Sequence, residues 1–170
     1  MTQQDENRAK EQAEAQLSSI RDMLAAADLD WERLEELRDL FAEHEQDEDG
    51  NINPEPFSAN YPDEADELAE LEETAGDYES REEAEQAIWE DPLDIQYRSG
   101  WASSREDMQA EEFYILLCTG GPAVRIMGEL DFHGQPCRAW LEYQDWGTPW
   151  TMLFDGQEDA LDYAQRVISL

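Results

Sequence analysis

The sequence predicts an α+β fold: an acidic N-terminal helical region, then a small antiparallel sheet of three to four strands and a C-terminal helix. Three observations predict it. Apolar residues recur at helical spacing through the first part of the chain. From about residue 93 they switch to the two-residue alternation of strands. The acids are also unevenly placed. Residues 1–110 hold 34 Asp and Glu against 8 Lys and Arg, a net of -26, while residues 111–170 hold 10 against 3, a net of -7. The expected division is an acidic helical region over 1–92 and a folded core of sheet plus closing helix over 93–170, with one continuous domain as the alternative.

The elements follow in order. From Arg8 to Ala27, Ala13, Leu17, Ile20 and Leu24 share one helical face. Asp28 or Asp30 can cap the next helix, with Glu32 in its first turn. That helix carries Leu34, Leu37, Leu40 and Phe41 on one side. Residues 47–62, with three prolines, Asn and Gly, read as a loop. Asp63 to Glu73 is helical around Leu68 and Leu71. Ser80 with Glu83 forms a capping box for a short helix around Ala84 and Ile88, which Pro92 stops. Leu93, Ile95 and Tyr97 then alternate with Asp94, Gln96 and Arg98. Phe113–Cys118, Ala123–Leu130 and Cys137–Tyr143 are strands joined by short turns, a meander. Trp150–Phe154 can add a short strand, and Glu158–Ile168 is a closing helix with Leu161, Ala164 and Ile168 on one face.

Composition excludes several classes. The net charge is -33, and Lys10 is the one lysine. That field repels phosphates, so direct nucleic-acid binding is not expected. No apolar run reaches the ~20 residues of a membrane helix and no secretory signal opens the chain, so no membrane partner is expected. Two cysteines, Cys118 and Cys137, are too few for a disulfide framework. Reduced, buried thiols in a cytoplasmic protein are the expectation. The hydrophobic fraction of 40%, with 6 Trp, 6 Tyr and 5 Phe, is enough to bury a core.

The run Phe113-Tyr-Ile-Leu-Leu-Cys-Thr-Gly-Gly-Pro-Ala-Val-Arg-Ile126, with Leu141-Glu-Tyr-Gln-Asp-Trp-Gly-Thr-Pro-Trp-Thr151, resembles small proteins carried by plasmids, phages and integrative elements. The resemblance spans about residues 93–168 and brings no chemistry with it. The acidic part is similar, in composition alone, to the DNA-mimic inhibitors that such elements direct against host defences, the anti-restriction and anti-CRISPR proteins.

No catalytic constellation is visible, so an enzyme is not expected. His44 and His133 stand in neither a nucleophile nor a zinc spacing. Thr119-Gly120-Gly121 lacks the lysine of a phosphate loop and reads as a turn. Glu45, Asp47, Asp49, Gly50 and Ile52 occupy positions of a calcium loop, but Pro56 stands where the bidentate Glu belongs and Pro54 obstructs the exiting helix. An acidic solvated loop is the reading, with no metal and no cofactor. Among Trp140, Tyr143, Trp146 and Trp150, alternation assigns Trp140 or its neighbours to the core, and Trp146 on the Asp145–Pro149 turn is the interface candidate.

The charge itself is the functional signal. Duplex DNA carries one charge per ~1.7 Å of axis, so -33 corresponds to roughly 55 Å of duplex. Carboxylates at i, i+3, i+4 and i+7 of a helix stand about 5–6 Å apart, near the phosphate spacing along a strand. Two rows have that spacing: Glu32, Glu35, Glu36, Asp39 and Glu43, and Asp63, Glu64, Glu67 and Glu70. The expected function is an acidic DNA mimic that occupies the groove of a basic DNA-binding protein of the host. The alternatives are a salt-adapted protein of any function and an acidic adaptor for another basic partner. The uneven charge counts against salt adaptation, which should coat both parts alike.

Overall fold

Helical and strand periodicities translate into six helices and five strands in the computed structural model, which describes residues 3–45 and 56–168. The helices are α1 (Gln3–Asp28), α2 (Trp31–Glu45), α3 (Phe57–Asn60), α4 (Pro62–Ala75), α5 (Arg81–Glu90) and α6 (Gln157–Ile168). The strands are β1 (Asp94–Ser99), β2 (Ala110–Cys118), β3 (Ala123–Leu130), β4 (Pro136–Gln144) and β5 (Thr151–Met152). The fold is α+β. Its sheet has five antiparallel strands in the order β1-β2-β3-β4-β5, a plain meander, where three to four were expected. The calcium-like loop beyond Glu45, up to Glu55, falls outside the described residues, as does Pro54 of the expected 47–62 loop. The described end of that segment is not all loop. Phe57–Asn60 makes a helical turn, and Pro62 occupies the first turn of α4, where its missing N–H leaves no bond unmade.

The residues group into two units, Met1–Leu24 with Glu85–Leu170, and Ala25–Ala84. This grouping differs from a division at 92/93, because α1 up to Leu24 packs with the sheet-bearing residues. Ala9, Ala13, Leu17 and Ile20 are buried. Leu17 closes over Gly156, where a Cβ would stand 2.4 Å from Leu17 Cδ1. Arg21 donates to Asp159 at 2.8 Å and Asp155 at 3.2 Å, and Arg8 donates to the Gly121 carbonyl at 2.8 Å. The core over 93–170 is therefore incomplete without the chain's first helix.

In this unit, register sets one apolar face. Ile95 opposes Ile115, Ile115 opposes Ile126, and Ile126 opposes Leu141, so one row crosses four strands. Phe113, opposite Gly128, lies so close over it that a Cβ there would meet the ring at 2.2 Å. Helix α6 lies against β4 and β3 and buries Ala160, Tyr163, Ala164 and Val167. The Tyr163 hydroxyl donates to Asp91 at 2.6 Å, and burial with that neighbouring carboxylate pushes the phenol far above its ordinary range.

The unit Ala25–Ala84 has its own small core of Leu29, Leu34, Leu37, Phe57, Leu68 and Ala75. Phe57 stands edge-on to Phe41 at 5.3 Å and stacks on Tyr61 at 5.2 Å. Asp30 is the cap of α2, accepting from the Arg33 N–H at 3.1 Å. Ser80 accepts from the Glu83 N–H at 3.2 Å, while the Glu83 carboxylate reaches back to the Glu79 N–H at 2.8 Å, one residue beyond the simple capping box.

Candidate partner-binding surface

The charge follows the units more sharply than it follows sequence position. Residues 25–84 contain 23 Asp and Glu against 3 Arg, a net of -20 over 60 residues. The remaining residues contain 21 against 8, a net of -13 over 110. A core of few apolar residues leaves most faces of α2 and α4 to solvent, and those faces carry the acids.

Both predicted rows lie on helices, and they meet at one arginine. On α2, Glu32, Glu35, Glu36, Asp39 and Glu43 are exposed. On α4, Asp63 and Glu70 are exposed, while Glu64 and Glu67 are partly covered. Arg33 donates to the two oxygens of Glu67 at 3.0 and 2.7 Å, and to Glu36 at 3.1 Å. The hydrogen bonds to Glu67 and then Glu36 raise the Arg33 guanidinium's pKa, and the same bond from Arg33 holds the Glu67 carboxyl below the usual carboxylate range. Arg38 reaches Glu72 at 3.3 Å. Glu36 and Glu67 are thus engaged within the protein. Glu32, Glu35, Asp39, Glu43, Asp63, Glu64 and Glu70 form the part of the predicted surface that Arg33 does not touch.

Trp146 belongs to the other unit and is 80% exposed. Its turn is stiff. Asp145 N–H donates to the Thr148 hydroxyl at 3.0 Å, that hydroxyl donates to the Asp145 carbonyl at 2.9 Å, and Trp146 N–H donates to the Asp145 carboxylate at 2.7 Å. The indole rests on Gly121, at a φ of +117, where a Cβ would meet it at 2.1 Å.

Of Trp140 and its strand neighbours, it is the neighbours that the core takes. Ala139 and Leu141 point into the core, so Trp140 has the opposite parity and lies on the uncovered side of the sheet. There it joins a cluster that the sequence reading missed. Arg125 pairs across the strands with Glu142 at 2.6 Å, and Trp140 donates to the other Glu142 oxygen at 3.0 Å. The Arg125 guanidinium lies 4.0 Å from the Trp150 ring centroid and 5.6 Å from that of Tyr114. Beside it is a hollow of about 460 Å³ lined in part by Gln96, Arg98, Tyr114, Met127 and Trp150. The signal was the parity of Trp140 with Glu142 and Arg138, but the strand partner of Glu142 is not visible in sequence.

The cysteines differ from expectation. Cys118 is half-buried, and burial pushes its thiol up, whereas Cys137 is exposed beside the register shift at the start of β4. Among the described residues, no helix is long and apolar enough to cross a membrane, and no group of His, Cys, Asp or Glu is placed to hold a metal ion. His44 packs edge-on to Phe57 and Tyr61 at 5.6 and 5.8 Å, in a structural setting. No protein-family model, curated protein or solved structure matches the chain.

Proposed function

We propose that this protein is an acidic DNA mimic, encoded by a mobile element and acting in the cytoplasm, that inhibits a basic DNA-binding defence protein of the host, such as a restriction or CRISPR effector, by occupying its DNA groove. The observation that carries the reading is the net of -20 within residues 25–84. All three arginines of that unit are engaged within it: Arg33 and Arg38 on carboxylates, and Arg81 on the Leu29 carbonyl at 3.0 Å. The remaining carboxylates present a field of one sign, which steers a cationic groove and competes with its nucleic acid. Salt adaptation accounts poorly for a charge density so much higher in one unit than in the other.

The protein acts without binding DNA itself and without a cofactor. Affinity is spread over many carboxylates, each screened and weak alone. Trp146 adds an apolar contact at most.

The test is displacement of a fluorescent duplex from candidate effectors at moderate salt, read by anisotropy. The wild-type chain should release the duplex from its target and leave the anisotropy of free duplex unchanged. Replacing the seven carboxylates that Arg33 does not hold (Glu32, Glu35, Asp39, Glu43, Asp63, Glu64 and Glu70) by their amides should abolish displacement. Trp146→Ala should retain most of it. Displacement that survives the amide variant and disappears with Trp146→Ala overturns the reading.

A further inference from the structure

We propose that two copies of this chain pair through the free edge of β1, antiparallel, about a two-fold axis passing beside Gln96. The proposal does not depend on the inhibitory reading, because it concerns a different surface.

Strand β1 is terminal in the sheet, and among the described residues it pairs with β2 alone. Half of its N–H and C=O groups therefore point away from the sheet, as on any edge strand. Edges of this kind are commonly covered or broken up, yet here four of the six residues are exposed. Large apolar side chains stand open on this strand and immediately before it in the chain: Tyr97 at 53% and Leu93 at 60% exposure.

What suits this edge is the edge itself. A two-fold axis perpendicular to the sheet keeps each face continuous across the junction. Residues of equal parity then oppose one another, and the axis passes beside a single residue. Centred on Gln96, Asp94 opposes the partner's Arg98, and Arg98 opposes the partner's Asp94. Gln96 opposes its own copy, amide to amide. On the other face Ile95 opposes the partner's Tyr97, which extends the apolar row that Ile115 and Phe113 begin in β2. Centred one residue to either side, Asp94 and Arg98 oppose glutamine, glycine or proline, and both charge pairs are lost. The pattern Asp94-Ile95-Gln96-Tyr97-Arg98 is thus self-complementary in one register.

The local charges permit it. Arg98 already lies against Glu112 across the β1–β2 pair, and a guanidinium with five donors can hold a second carboxylate. Asp94 accepts from the Gln96 amide at 2.6 Å, which places its carboxylate along the strand, on the side Arg98 shares. Against the pairing stands the repulsion of two chains of -33. That repulsion is long-range and is screened over about 10 Å at 0.1 M salt, whereas contact pairs across a strand edge are screened less. The dimer should therefore tighten with salt, opposite to an association driven by net charge.

Sedimentation equilibrium of the full chain, at low and moderate ionic strength, tests this. The wild type should reach twice the monomer mass at moderate salt and dissociate as salt is lowered. Asp94→Arg and Arg98→Asp each place like charges face to face and should each weaken self-association at least tenfold. Mixed in equal amounts, these two variants oppose Arg to Asp at both positions and should recover the dimer. Gln96→Lys sets two ammonium groups together at the axis, leaves Arg98 and Glu112 untouched, and should also dissociate it. That variant keeps the test decisive if Arg98→Asp fails to fold, with circular dichroism as the check. A wild type that stays monomeric at every concentration and salt overturns the proposal. So does a dimer unaffected by Asp94→Arg and Gln96→Lys, or a mixture of folded variants that stays monomeric.

Discussion

Arg33 is the residue on which the acidic unit turns. It sits one turn before Leu37 on α2, and its guanidinium grips the carboxylate of Glu67 on α4 with two hydrogen bonds. The pair is a fork against a carboxylate, the geometry in which an arginine is most specific. Because Glu67 is more acidic in the folded chain than its ordinary value of 4.5, the pair's contribution is fully present above that value. It is lost as pH falls through the folded value. Glu67→Gln should therefore lower the thermal midpoint slightly at neutral pH. The difference from wild type should shrink once the pH drops below the ordinary carboxylate value, as thermal melts across a pH series would show. A gap that stays constant into acid would mean that the side chain acts through packing alone. The same residue scale separates the other acids. Glu36 shares Arg33, while Glu32, Glu35 and Asp39 face solvent and remain available to a partner.

Among the elements, α2 shows how local chemistry starts a helix that its core then retains. Asp30 satisfies the Arg33 N–H, and its negative charge sits at the helix N-terminus, where the backbone dipole favours it. Leu34 and Leu37 are fully buried behind it. Asp30→Ala should cost about 1 kcal/mol in urea unfolding, and Asp30→Ser should restore most of that, since a hydroxyl accepts the same bond. A loss confined to the charge, equal in Ala and Ser, would point to the dipole instead. At the sheet edge the same reasoning runs in reverse. Alternation makes β1 a strand, but position in the meander leaves Leu93 and Tyr97 uncovered.

For the whole molecule, the dominant physical fact is self-repulsion. A net of -20 over residues 25–84 works against a small core built on Leu29, Leu34, Leu37, Phe57, Leu68 and Ala75 among the described residues. Counter-ions relieve that repulsion, so added sodium chloride should raise the thermal midpoint by several degrees, and more steeply than for a protein of near-zero charge. Hydrogen exchange should show the larger gain in the amides of α2 and α4 and the smaller gain in β2 to β4. Equal gains throughout, or none, would mean that the repulsion is already relieved within the fold.

Periodicity and turn chemistry by themselves determined the class of this protein, the order of its elements and the acid rows on two helices. These are local properties: a capping Asp, a run of alternating apolar residues or a Gly-Gly-Pro turn acts through near neighbours in the chain. The charge asymmetry was equally legible, since it is composition. Three things were decided by tertiary structure. Helix α1 up to Leu24 joins the sheet unit because Leu17 and Arg21 find Gly156, Asp155 and Asp159 more than 130 residues away. Arg33 neutralises Glu67 because α2 and α4 pack side by side around Phe57 and Leu68. Trp140 faces outward because its neighbours Ala139 and Leu141 match the apolar register of β3, and a strand can bury only one parity against one layer of helix. Each depends on which surfaces meet, and that is set by the summed packing of distant segments rather than by any one stretch of sequence.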